Sequence, residues 1–252
     1  MRASIDETRL RRIVMQPTEV VHLEHDGKVL LVDQNGHGPL IPIAGRTSAD
    51  QVLRFPTPAE VDALGIEWKK IRETRIVFGT MVHCVLKGYP KIEWPKHWAW
   101  KDALIADNSV DPVAREAIYR SLHRLVSKVM ICNDAGEVLM GKVERGHFHG
   151  FWTLPGGYMD HDEHPSTGCV RETFEELGLS LILENSEPVV TQKIFTDEGI
   201  SFVSFTYRSK WNGNFDELRL QTEEISEVKW FSPKDAIEAA VSHFDSEALR
   251  TL

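Results

Sequence analysis

The chain has 252 residues, 42% hydrophobic, 27% charged and 9% aromatic, which are the proportions of a globular protein with room for one large or two small domains. A formal charge of −9 excludes a non-specific grip on a nucleic-acid backbone, which needs basic surface, but leaves open a small anionic ligand partnered by a metal. Cys84, Cys132 and Cys169 stand singly, which excludes a zinc ribbon and a disulfide framework; "MRASIDETRLRR" lacks the apolar core of a signal peptide, and no apolar run nears the ~20 residues of a bilayer span. The expectation is a cytoplasmic chain with no membrane partner.

"TEVVHLEHDGKVLLVDQ" holds two β-rich runs around His25-Asp26-Gly27, a hairpin signal, and "LIPIAGR" should close in a turn at Gly45. In "TPAEVDALGIEWKKIRETR" Thr57 can cap a helix, with Pro58 first inside it and Glu60 as capping-box partner. "IVFGTMVHCVLKG" reads as a buried strand. The Trp- and Pro-rich "YPKIEWPKHWAWKD" has no clear assignment; Trp94, Trp98 and Trp100 with Lys91, Lys96 and Lys101 suit either an interface or base stacking. "SVDPVAREAIYRSLHRLVSK" should be a long helix capped by Asp111, with Val113, Ile118, Leu122 and Leu125 as its apolar stripe. A domain boundary is expected near residue 120, separating an N-terminal α+β region from a second domain over 121–252.

The second domain should run strand, turn, strand in "VSKVMICNDAGEVLMGKV", a loop in "RGHFHGFWTLPGGYMDHDE" and a helix in "HPSTGCVRETFEELGL". Three more strands follow, in "PVVTQKIFTD", "GISFVSFTYRSKW" and "EISEVKWFS". A closing helix over "SPKDAIEAAVSHFDSEALRTL" is capped by Ser232 with Pro233 at its first position. Strands and helices mixed without regular alternation imply an α/β sandwich on a mixed sheet. "DGKVLLVDQNGHGPLIPIAG" also runs loosely parallel to "DAGEVLMGKVERGHFHGFWTLPGG", so the first region can be read as a degenerate repeat or the likeness as coincidence.

Within "RETFEELGL", Glu172, Glu175 and Glu176 fall within roughly 100° of one helical face. Like charges so placed destabilise a bare helix by roughly 0.2–0.5 kcal/mol per pair, which is either the tolerated cost of a solvated face or the sign of a function. Val170, Phe174 and Leu177 would form the opposite, apolar face. Extended backwards, Gly157 to Leu179 reads G-x5-E-x7-R-E-T-x-E-E-x-G-L. This resembles the signature of the Nudix hydrolases, with Thr173 where a bulky aliphatic residue usually stands and Asp162 where Gly is common.

The resemblance implies a Nudix-like α/β/α sandwich and Mg²⁺-dependent cleavage of a pyrophosphate bond in a nucleoside diphosphate joined to another moiety, an ADP-ribose or nucleotide sugar by preference, with Mn²⁺ able to stand in for Mg²⁺. It implies metal ligation by Glu172, Glu175, Glu176 and the backbone at Gly156, with Glu163 as outer ligand or orienting group and Arg171 as the fork that holds a box carboxylate. Glu224 is the candidate for a completing ligand or general base outside the box, with Glu223 its rival. His147, His149 and Trp152, just ahead of the box, are candidates to touch substrate; for Trp152 the alternative is core packing. The implied partners are a nucleotide-derived small molecule and a second copy of the chain. Two other readings stand beside it: a non-catalytic Nudix-like nucleotide sensor, and an isomerase using Cys169.

Overall fold

A computed structural model describes residues 18–43, 51–184, 187–195 and 197–252. The turn expected at Gly45 lies outside them. The chain divides into two compact units: residues up to Ser121 with Thr196–Gly199, and Leu122–Phe195 with Ile200–Leu252.

In the first unit, β1 (Thr18–His25) turns back into β2 (Lys28–Val29). Asp26 and Gly27 both take positive φ, 49° and 72°, the backbone a tight two-residue hairpin requires. Helix α1 (Pro58–Ala63) carries the complete capping box: the Thr57 side chain accepts from the Glu60 N–H, and the Glu60 carboxylate accepts from the Thr57 N–H. The helix is shorter than expected. After Gly65 at φ 69° the chain extends into β3 (Trp68–Phe78), which turns at Gly79-Thr80 into β4 (Met81–Pro90). The single buried strand expected over Ile76–Gly88 is thus part of a hairpin whose tip residues, Val77, Phe78, Met81 and Val82, are exposed. The Trp-rich segment supplies β5 (Ala99–Trp100) and α2 (Lys101–Leu104), with Trp98 buried and Lys28 over the rings of Trp94 and Trp100. Helix α3 (Pro112–Ser121) is opened by Asp111, whose Oδ1 accepts from the N–H groups of Val113 and Ala114. It ends at Ser121, so Leu122 and Leu125 lie outside it.

The second unit is built on β6 (His123–Cys132), β7 (Val138–Val143), the short β8 (Trp152–Thr153) and β9 (Gly156–Tyr158), helix α4 (Pro165–Leu177), then β10 (Val189–Phe195), β11 (Ile200–Lys210) and β12 (Ile225–Phe231). The expected loop before the box therefore contains two short strands. The closing helix is two, α5 (Pro233–Ala239) and α6 (His243–Leu249), broken where Ala240 turns to extended φ/ψ. Ser232 caps α5 through its hydroxyl, which accepts from the Asp235 N–H.

Side chains of adjacent strand residues alternate between faces, and here they sort two helical layers. Val129, Ile131 and Leu139 pack with Leu177 of α4, whereas Met130, Val138 and Met140 pack with Ala236 of α5 and Ala248 and Leu249 of α6. This is an α/β/α sandwich on a mixed sheet, ordered β10-β11-β6-β7-β12, with β6–β11 its parallel pair.

The first unit follows the same strand path. Its order is β3-β4-β1-β2-β5, with β1–β4 parallel and the other neighbours antiparallel. Its faces agree as well: Leu30 packs with Val61 of α1, while Val29 and Leu31 pack with α3. The described part of the sequence echo between Asp26–Gly45 and Asp134–Gly157 thus falls in two units of one strand order, with a six-residue α1 in the first and a thirteen-residue α4 in the second.

Candidate active site

Helix α4 begins after His164, whose Nδ1 accepts from the Ser166 N–H, with Pro165 at its first position. It ends at Gly178, held at φ 66° with its N–H on the Phe174 carbonyl. Glycine is required there because a side chain at positive φ is strained.

The face the helix turns to the sheet differs from the expected one. Gly168, Cys169, Thr173, Glu176 and Leu177 are buried, whereas Phe174 is 56% exposed and Val170 is half-buried. The Thr173 hydroxyl donates to the Cys169 carbonyl at 2.7 Å, which satisfies it inside the helix and lets threonine fill an aliphatic position. The glutamates do not share one solvated stripe either: Glu175 is exposed, Glu172 half-buried and Glu176 only 8% exposed.

Glu176 Oε2 accepts from the Gly156 N–H at 2.9 Å, its single direct bond to the opposing loop. Burial pushes this carboxyl up to about 8, against smaller opposing effects of that bond and of Lys128, and the charges of Glu172 and Glu224 raise it further. Glu172 is also raised, chiefly by burial, even though Arg171 Nη1 donates to it at 2.9 Å. At Glu163 the balance reverses: Arg171 donates from Nε at 3.1 Å and from Nη2 at 2.7 Å, and this fork holds the carboxyl below the ordinary range. Arg171 further reaches Glu175 at 3.2 Å and the Tyr158 carbonyl at 3.1 Å, so one guanidinium ties α4 to the strand that faces it.

That strand comes very close. A Cβ at Gly157 would stand 2.5 Å from Glu172 Oε2, and one at Gly156, where φ is 134°, would stand 2.2 Å from the Ser127 carbonyl oxygen. The two glycines therefore let β9 pass between β6 and the carboxylates.

Glu224 precedes β12. Its charge acts on both Glu172 and Glu176, and Arg145 donates to its Oε1. His147 meets the ring of Phe148, His149 Nδ1 meets the Glu144 carbonyl, and both are exposed. Trp152 packs on Phe231 at 5.0 Å within the α5–α6 core, so its packing alternative is what the structure displays. Cys169 is fully buried and its thiol is pushed up to about 12 by burial, which leaves no thiolate for chemistry.

Sequence reasoning passed over Lys128. It sits in the apolar run "LVSKVMIC", and a charge inside such a run signals a buried partner. The partner is Asp245 of α6 at 2.6 Å. Among the described residues, no three His, Cys, Asp or Glu side chains gather closely enough to hold a metal ion as they stand.

Residues 122–252, just over half of the chain, match the NUDIX domain family. The chain belongs to the Nudix family of hydrolases. A MutT-like protein of Streptomyces ambofaciens is 29% identical over 124 residues, which cover 49% of this chain and 73% of that protein. An RNA pyrophosphohydrolase of Roseobacter denitrificans is 27% identical over 140 residues, covering 50% of this chain and 87% of the relative. An 8-oxo-dGTP diphosphatase of Proteus vulgaris is 27% identical over 101 residues, covering 40% and 87%. Among solved structures, a MutT Nudix hydrolase from Burkholderia pseudomallei is similar at 26% identity, covering 52% of this chain and 99% of that one, with a TM-score of 0.44. The protein is accordingly an enzyme, a Nudix hydrolase whose family uses divalent cations and nucleotide-derived substrates. Among the described residues no helix is long and apolar enough to cross a membrane.

Proposed function

We propose that this Nudix hydrolase cleaves a pyrophosphate bond in a nucleoside diphosphate joined to another moiety, an ADP-ribose or nucleotide sugar by preference, with Mg²⁺ as its cation and Mn²⁺ as a substitute. The observation that carries the reading is the pair Glu172 and Glu176, two carboxylates raised by burial at one loop. Buried carboxylates are costly as anions, here even with Arg171 on Glu172 and the Gly156 N–H on Glu176, and a hard cation with a preference for oxygen donors relieves that cost.

The donor set fits such a cation by its chemistry. Glu172, Glu175, Glu176 and the Gly156 backbone would hold it, with Glu163 anchored behind them by Arg171. When bound, the cation would offset phosphate charge and lower the pKa of a bound water. The chain's own contributions are then separate. Arg171 orients Glu172 and Glu175 from one guanidinium, and Glu224, whose charge already acts on both buried carboxylates, is the residue to accept a proton from the attacking water.

The intact box favours turnover over a sensing role, and the inert Cys169 thiol speaks against an isomerase. The names of two relatives add RNA and 8-oxo-dGTP to the substrates worth testing. The experiment is to incubate the purified chain with Mg²⁺ and ADP-ribose, nucleotide sugars, NADH, dinucleoside polyphosphates, 8-oxo-dGTP and triphosphate-ended RNA, reading phosphate after phosphatase coupling. Turnover of a sugar-linked diphosphate above the others is expected. Turnover of none would remove the reading.

A further inference from the structure

The buried pair Lys128–Asp245 is used by no step above, and its connections lead straight to the loop that faces Glu176. Asp245 is fully buried in the first turn of α6. One of its oxygens accepts from Lys128 Nζ at 2.6 Å and the other accepts from the Leu154 N–H at 3.0 Å. Leu154 opens the segment Leu154-Pro155-Gly156. The Pro155 carbonyl accepts from the Val129 N–H at 3.0 Å, and the Gly156 N–H donates to Glu176. Lys128 is the register partner of Gly156 across β6 and β9. The segment is thus pinned at three successive residues: by α6, by β6 and by the box helix. Only the first of these pins is a side chain from outside the box and its sheet.

A buried ion pair is weak support for stability in itself, since an apolar pair of similar volume often does as well. Two charges this deep are better explained by a task that apolar groups cannot perform. From this geometry we infer that Asp245 is a positioning residue, whose carboxylate fixes the Leu154–Gly156 segment and thereby sets where Gly156 meets Glu176. Lys128 neutralises that carboxylate so that it can be buried. The inference rests on the metal-site reading above, in which Gly156 and Glu176 hold the cation.

Two double variants isolate the point. Lys128→Met/Asp245→Asn and Lys128→Met/Asp245→Leu both remove the two charges, but only the first keeps an acceptor for the Leu154 N–H. Folding is checked by near-UV circular dichroism. Manganese affinity is read from the resonance of free Mn²⁺, with no substrate present, and kcat and KM are measured separately. The Leu variant is expected to bind Mn²⁺ about 10–100-fold more weakly than the Asn variant, the range seen when groups behind metal ligands are removed, and to lose kcat rather than KM. Equal affinity in the two folded variants would overturn the inference, and so would loss of fold in both, which would make Asp245 a folding residue alone. Glu176→Gln serves as the control. If it binds Mn²⁺ as tightly as the native chain, the metal-site reading fails and this inference falls with it. If it binds weakly while the two double variants agree, the positioning role alone fails.

Discussion

The two units run one strand path with helices on matching faces, yet α1 has six residues and α4 has thirteen. The fate of one glutamate in each helix shows what that difference does. Glu60 is locked by Arg54, whose Nη1 and Nη2 donate to its two oxygens at 2.8 and 2.7 Å, and by the Thr57 N–H at 2.7 Å. These bonds, the Arg54 pair first, bring its carboxyl down to about 2. Glu176 has one backbone bond and a buried site, and stands at about 8. In the first unit the acid is paired with an arginine; in the second it has a backbone bond and feels Lys128 through space. The same frame therefore carries one helix whose acid is paired within the protein and one whose acid is buried on a single backbone bond, so a shared strand order does not by itself carry function.

Glu176→Gln should break the comparison most sharply. A kcat loss of about 10³-fold or more is expected, on the scale of removing a group central to catalysis, with the circular dichroism spectrum unchanged. Glu60→Gln should leave kcat as it is. Next in size, Arg171→Met and Arg54→Met should each lower stability by about 1–3 kcal/mol in urea unfolding, the worth of charge-assisted hydrogen bonds. Only the Arg171 variant should also weaken Mn²⁺ binding.

The pH dependence of the two acids should run in opposite directions. A carboxyl raised by folding contributes stability below its unfolded value, near 4.5, and that contribution is lost as pH rises through about 8. Metal-free protein should accordingly lose stability across that window, and Glu176→Gln should flatten the loss. A carboxyl lowered by folding does the reverse, so the Glu60 contribution is present above 4.5 and disappears as pH falls toward about 2. Thermal melts from pH 3 to 9 of the native chain and both Gln variants would test the two signs. The smallest effect is expected at the caps: Thr57→Ala and Ser232→Ala should each cost about 1 kcal/mol without touching turnover.

The box spacing, the capping residues Thr57, Asp111 and Ser232, and the β-hairpin at Asp26-Gly27 were all legible in the sequence because each is a local rule. What failed was the choice between periods and faces. "WKKIRETR" places Trp68, Ile71 and Arg75 at helical spacing, yet it is β3, paired along its length with β4. Leu122 and Leu125 continue the α3 pattern but follow its end, where β6 takes over on pairing with β11. In α4 a hydrophobicity count turns Phe174 inward and Glu176 outward, whereas the sheet accepts the small Gly168, Cys169 and Thr173 and so carries Glu176 inward with them. The Lys128–Asp245 pair spans 117 residues, and no local rule reaches that far.

The parallel pairing of β6 with β11 sets a timetable for the working unit. His123 and Ser201 stand 78 positions apart, so the central strand waits for most of that stretch of chain before its neighbour exists. Contacts of such long sequence separation slow folding. On the ribosome, the box helix emerges well before the strand that completes the sheet beneath it and before the α6 carboxylate that pins its facing loop. A nascent chain would thus carry the whole acidic motif before the strand that pairs with β6 has been made.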